Sequence, residues 1–173
     1  MVGISMRAAV EALLQTVQSW PIAAAIRGDL PGSEWLFPII ETLHVLALAL
    51  MFGSIAMLDL RLLGIGRRIG AVSALARELL PWTGIAWCAA AAFGTLLFIS
   101  RAASYVHNFQ FRMKLLCMAL AFLNMLVFQF GAYRQVAGWD HGWPPAAARL
   151  AGMLSLMLWL GVVLFGRWVG FTS

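Results

Sequence analysis

The sequence predicts an all-α membrane protein, a polytopic four-helix bundle preceded by an N-terminal amphipathic interfacial helix. Three observations carry that prediction. Of 173 residues, 62% are hydrophobic and only 11% are charged, whereas soluble domains have roughly 45–50% apolar and about 25% charged residues. A core of this size cannot hide the excess, because a small domain leaves much of its surface exposed. Four stretches approach the roughly 20 apolar residues that cross a bilayer. The leading stretch alternates apolar and polar faces and is too polar to span. Two units follow: residues 1–32 as an interfacial segment and residues 33–173 as the transmembrane domain.

In the leading segment Met6, Val10, Leu13, Leu14 and Val17 fall on one helical face, and Arg7, Glu11, Gln15 and Gln18 on the other. The same polar residues interrupt Met6–Ser19 and deny it the continuous apolar run of a secretory signal. Gly28-Asp29-Leu30-Pro31-Gly32 reads as a turn. Ser33 is placed to cap the first spanning helix, with Glu34 favourable in its first turn.

The first span runs from Trp35 to Leu58 and is interrupted only by Glu41 and His44. The second runs from Leu79 to Ser100 and the third from Leu115 to Tyr133, both without charge. Asn108 is a good N-cap, so the third helix is expected to begin there, ahead of its apolar run. The fourth is Leu150 to Gly166, extended backwards by Ala146, Ala147 and Ala148. Ala90 and Gly94 predict close contact on the second helix. Asn124 and Gln129 are expected to face a neighbouring helix.

The net charge is +5, from 12 basic and 7 acidic residues. The basic residues form no run or stripe, which argues for loop charges that set orientation and against a nucleic-acid partner. Their totals divide evenly between the two faces. The density of Arg61, Arg67, Arg68 and Arg77 in the first connection places that loop in the cytoplasm and both termini outside. Cys88 and Cys117 lie in apolar spans, where a thiol behaves as a small hydrophobe.

Ionisable residues inside spans are costly unless paired or hydrated, so each is a candidate functional group. Glu41 and His44 are three residues apart, on one face of the first helix. The start of the first helix, the end of the second and the start of the third share one membrane face. That face gathers Glu41, His44, Arg101, His107, Arg112 and Lys114. Arg101 and Arg112 stand at span ends, where snorkelling accounts for them. Lys114 and His107 also have an interfacial reading. Glu41 with His44 points to a ligand or proton role for His44, with Glu41 as its orienter or as the partner of Lys114.

On the other face, Asp59 and Arg61 are expected to pair with each other or with Arg134. Asp140-His141 lies in a tryptophan-flanked loop, as interfacial loops do. Met113 with Cys117 and Met153 with Met157 have the spacing of thioether metal ligands, and also that of ordinary packing. No nucleophile motif, phosphate loop or dinucleotide fingerprint is present.

The stretch Trp35-Leu-Phe-Pro-Ile-Ile-Glu41-Thr-Leu-His44-Val-Leu, with Gly53, Asp59-Leu-Arg61-Leu-Leu-Gly64 and Phe111-Arg112-Met113-Lys114-Leu115-Leu116, resembles a family of small bacterial inner-membrane proteins known only as a domain of unknown function. More distantly, Leu43-His44-Val45, Gly53, Arg61 and Lys114-Leu-Leu resemble the HemJ-type protoporphyrinogen oxidases and the CopD-type copper-resistance membrane proteins. The HemJ-type resemblance implies a haem-binding protein with its first-helix ligand at His44.

Three readings compete. One is a multi-pass protein of the bacterial inner membrane holding haem b, with His44 as ligand, Glu41 and Lys114 beside it, and either His107 as the histidine partner on that face or ligation by His44 alone. The second is copper handling, with His44 as the metal ligand. The third is an accessory subunit in which Glu41, His44 and Lys114 form a structural network. The lipid bilayer is the common partner. A redox role adds an electron partner or quinone, and an oligomer is compatible with all three.

Overall fold

The computed structural model describes residues 2–66 and 70–172, with side chains from residue 6 onward. Arg67 and Arg68, which weigh in the orientation of the first connection, lie outside the described residues. The chain folds as α1 (Val2–Gln18), α2 (Pro21–Arg27), α3 (Leu36–Leu62), α4 (Val72–Ser100), α5 (Ala102–His107), α6 (Phe109–Phe130), a 3₁₀ segment (Ala132–Gly138) and α7 (Ala146–Thr172). Four of these helices, α3, α4, α6 and α7, are long and apolar enough to cross a membrane. They run alternately up and down. One end, the terminal face, carries α1, α2, α5 and the last turn of α7; the other, the loop face, carries the α3–α4 and α6–α7 connections.

The spanning helices exceed the apolar runs because a helix does not stop where hydrocarbon stops. At 1.5 Å per residue the 29 residues of α4 reach roughly 43 Å, against a hydrocarbon core of about 30 Å. Its first two turns therefore carry Ser73, Arg77 and Glu78 without penalty. Ser33 does not cap α3: its hydroxyl donates to the Leu30 carbonyl at 2.7 Å, so it completes the preceding turn, and α3 starts at Leu36 with no side-chain cap. Asn108 does cap α6, its side chain accepting from the amides of Gln110 (2.8 Å) and Phe111 (3.1 Å).

The helix α2 is an addition to the expected interfacial segment. Pro21 opens it, Gly28 closes it in the left-handed conformation at φ 82°, and the Asp29 amide reaches back to the Ala24 carbonyl at 3.0 Å. It buries Ala23 and Ile26 against α3 and α4. Arg27 fastens the terminal face: one Nη donates to the carbonyls of Gln18 and Ser100, both at 2.9 Å, and Nε reaches Asp29 at 2.8 Å. Met6, Val10 and Leu13 of α1 stay exposed while Leu14 is buried.

Packing orders the spans α4–α3–α7–α6. The strongest contacts are within the α3–α4 and α6–α7 hairpins, and α3 against α7 joins them. Gly152 of α7 makes that joint close: a Cβ there would lie 3.0 Å from the Asp59 carbonyl oxygen and 3.1 Å from the Leu62 Cβ. Asn124 of α6 donates to the Ala151 carbonyl of α7 at 2.9 Å, as its position in the span suggested. Gln129, expected to do likewise, is exposed instead. At the loop face Leu62, Val72 and Ala148 form a buried cluster, with Leu58, Phe128, Ala132, Val136 and Trp139 around it. Gly64 stands there at φ 88° directly beneath the Trp143 ring, a position only glycine satisfies.

Candidate functional site

His44 lies eight residues past the start of α3 at Leu36, roughly 12 Å along the axis. Its Nδ1 is 2.8 Å from the carbonyl oxygen of Ala90 on α4. A carbonyl can only accept, so in the neutral imidazole Nδ1 carries the proton and Nε2 keeps its lone pair. The ring lies against Gly94, one turn on from Ala90. A Cβ at Gly94 would fall 2.9 Å from His44 Cε1 and 3.3 Å from Nδ1. The small residues of α4 therefore do two things: they let the helices approach, and they make room for an imidazole between them.

Lys114 lies five residues into α6, which starts at Phe109, or roughly 7.5 Å deep. Its stem runs beside Gly166 of α7, where a Cβ would meet Cδ at 3.5 Å and Nζ at 3.7 Å. It acts on His44 electrostatically. Among the described residues it makes no hydrogen bond or ion pair.

The expected ion pair between Glu41 and Lys114 does not form; the ion pairs among the described residues are Arg27–Asp29 and the contact of Glu11 with His107. Glu41 is exposed, and His44 takes Ala90 rather than Glu41 as its partner. The reason is helix order. Both charges sit near the terminal face, but α3 packs on α4 and α7 while α6 packs on α7. Shared depth does not give a shared azimuth. Glu41 acts instead toward α5, at Tyr105. Burial pushes the Tyr105 hydroxyl above its ordinary pKa, Arg101 opposes that and Glu41 adds to it.

His107 is exposed, with Nε2 3.9 Å from Glu11 of α1, so it belongs to the interfacial layer rather than to the surroundings of His44. Phe98, Tyr105 and Phe111 form a triangle of near-parallel rings that bridges α4, α5 and α6, with all three centroid separations at 5.5–6.4 Å. Both cysteines are free thiols. Cys117 packs towards Gly161, where a Cβ would lie 3.2 Å from its sulfur, which is the packing role. No group of three or more His, Cys, Asp or Glu side chains placed to hold a metal occurs among the described residues.

The loop face holds a second polar cluster that spacing alone did not reveal. Asp59 and Arg61 do not pair with each other or with Arg134. Asp59 stands beside Ser155 of α7, with its Oδ2 buried and without a hydrogen-bond partner. Arg61 donates through Nε to the Gly70 carbonyl and through Nη2 to the Asp140 carbonyl, each at 3.0 Å. The Asp140 carboxylate accepts from the Ser73 amide at 2.8 Å and from the Ser73 hydroxyl, so it caps α4 from a distant loop. Burial raises the Asp140 pKa, but the Ser73 hydroxyl and amide, His141 and the Val72 amide outweigh it and hold the carboxyl below its ordinary value.

Residues 36–172 match a family described as a family of unknown function, DUF6644. No curated protein and no solved structure matches the chain, so the likeness to HemJ-type and CopD-type proteins rests on the short motifs alone. With the match running from the first turn of α3 to the last residue of α7, across all four spans and both polar clusters, the chain belongs to the DUF6644 family.

Proposed function

We propose that this protein is a multi-pass protein of the bacterial inner membrane that holds a b-type haem through His44. The single observation that carries the reading is the 2.8 Å bond from His44 Nδ1 to the Ala90 carbonyl. Metal-ligating histidines characteristically donate their other ring N–H to a carbonyl or carboxylate, which fixes the tautomer and turns the free nitrogen to the metal. Here that free nitrogen is Nε2. Lys114 supports the reading as the positive group nearby, fitted to receive the acidic edge of such a group. His107 is engaged with Glu11, so the proposed ligation is by His44 alone. The bound group would supply one-electron chemistry; the chain would supply its ligand, its counter-charge and an apolar surround.

The test is a visible absorption spectrum of the protein purified from its native membrane. A Soret band that disappears in His44→Ala, while the variant still inserts, supports the proposal. A spectrum unchanged by His44→Ala eliminates His44 as the ligand. The same Nε2 suits copper, and metal analysis of the same sample separates the two.

A further inference from the structure

A buried carboxyl at the loop face, independent of the haem reading, has no part in the chemistry so far described. Asp59 stands in the last turn of α3 and is 5% exposed. Its Oδ2 is sealed from solvent and has no hydrogen-bond partner among the described residues. The side chain stands beside Ser155 of α7. Gly152, three residues earlier, lets α7 close over it: a Cβ there would lie 3.6 Å from the Asp59 Cα. The carboxyl is therefore walled into the joint between the two hairpins.

No described cation lies within ion-pair distance of Asp59. Arg61 is two residues on, about 200° around the helix, and donates to the Gly70 and Asp140 carbonyls. Its remaining Nη1 also lacks a partner among the described residues, so the two charges are not joined. On the surrounding elements Arg77 and Glu78 of α4, Arg134 of the 3₁₀ segment, His141 and Arg149 are exposed, and Asp140 is held by Ser73. A carboxylate so placed gives up its hydration with nothing in exchange. The neutral acid escapes that cost. It needs no cavity, and its O–H is a donor that the Ser155 oxygen can accept.

We propose that Asp59 is a proton-binding site: the docked hairpins hold its carboxyl as the neutral acid, and release of that proton loosens the joint between α3 and α7. The proton comes from water at the loop face and returns to it, leaving the carboxylate behind. Asp59 is 23 residues past Leu36, roughly 35 Å along the helix, beyond a hydrocarbon core of about 30 Å, so that water is close at hand once the joint opens. A solvated carboxyl is ionised above about pH 3.9. Above that pH the docked hairpins hold one proton more than separated ones, and docking weakens by up to about tenfold per pH unit as pH rises.

Infrared spectroscopy of the full chain in mixed micelles at neutral pH tests this, together with reversible unfolding followed from about pH 5 to about pH 9, above the ordinary carboxyl range. The expected spectrum shows the C=O band of a protonated carboxyl, which disappears in Asp59→Asn and moves in frequency in Ser155→Ala. Asp59→Asn keeps the shape of the neutral acid and cannot ionise. The wild type should therefore lose stability relative to it as pH rises, by up to about tenfold per pH unit in the unfolding constant. The wild-type spectrum and Ser155→Ala decide the matter where Asp59→Asn fails to fold. A wild-type spectrum without the band overturns the proposal, as does a band unmoved by both variants, or pH profiles that run parallel in the wild type and Asp59→Asn.

Discussion

Gly94→Ala is the sharpest probe of the His44 pocket. The added methyl would stand 2.9 Å from His44 Cε1 and 3.3 Å from Nδ1, closer than carbon atoms pack, so the imidazole must swing away. It then loses its bond to Ala90. A hydrogen bond contributes about 0.5–1.5 kcal/mol net, and a donor left buried and unpaired costs about 1–3 kcal/mol. Against this, alanine is the better helix former by about 0.8–1.0 kcal/mol. The balance is a destabilisation of roughly 1–2 kcal/mol, a factor of about 5–30 in the folding equilibrium. Gly84 provides the control on the same helix. Nothing lies within 4 Å of a Cβ there, so Gly84→Ala should be neutral or stabilising by up to about 1 kcal/mol. Reversible unfolding in mixed micelles measures both variants, and the nitrogen chemical shifts of the His44 imidazole report the lost bond. Equal stability of the two alanine variants, with unchanged His44 shifts, would refute the geometry on which the site is built.

Gly152→Ala, with its methyl 3.0 Å from the Asp59 carbonyl oxygen, overpacks a backbone contact that cannot rotate away, and should cost about 1–3 kcal/mol in the same unfolding assay; no loss would mean that α3 and α7 pack less closely than described. Asp140, whose pKa is depressed by Ser73 once burial is outweighed, contributes stability that is fully present above the ordinary carboxylate pKa of about 3.9 and fades as pH falls through its lower folded value. Protection of the Ser73 amide against exchange, relative to its intrinsic rate, should therefore fall at acid pH in the wild type. In Asp140→Ala, which removes the acceptor, that protection should be low already at neutral pH, and a wild-type profile in this variant would remove Asp140 as the cap.

What the sequence made legible follows from what apolar spacing encodes. Four spans, their alternation and the shared membrane face of His44 and Lys114 were all readable, because burial along the membrane normal depends on position in the chain. The cap at Asn108 was readable because it is local. The contact at Ala90 and Gly94 was foreseen as close packing, though not the imidazole that fills it. Rotation about each helix axis was not readable, which is why Glu41 and Lys114 were expected to meet and do not. The start of α4 at Val72 was hidden because Arg77 and Glu78 end an apolar run without ending a helix. The roles of Arg61 and Asp140 depend on a contact across 79 positions of sequence, and no spacing rule reaches that far.

The order α4–α3–α7–α6 has a consequence for how the chain assembles. Each strong helix pair is made of neighbours in sequence, α3 with α4 and α6 with α7, so each can form as soon as its own connection is complete. Neither hairpin waits on distant chain, which is the arrangement that folds quickly. Within a bilayer, helices first insert and then associate through close van der Waals contact, since lipid offers no hydrophobic force between them. The late step is then the docking of two finished hairpins at Gly152, where the backbone of α3 meets a helix with no side chain in the way. Docking carries Ser155 to Asp59. It also ties the Lys114 hairpin to the His44 hairpin, so the cofactor pocket proposed above would be completed only when two separately folded halves meet.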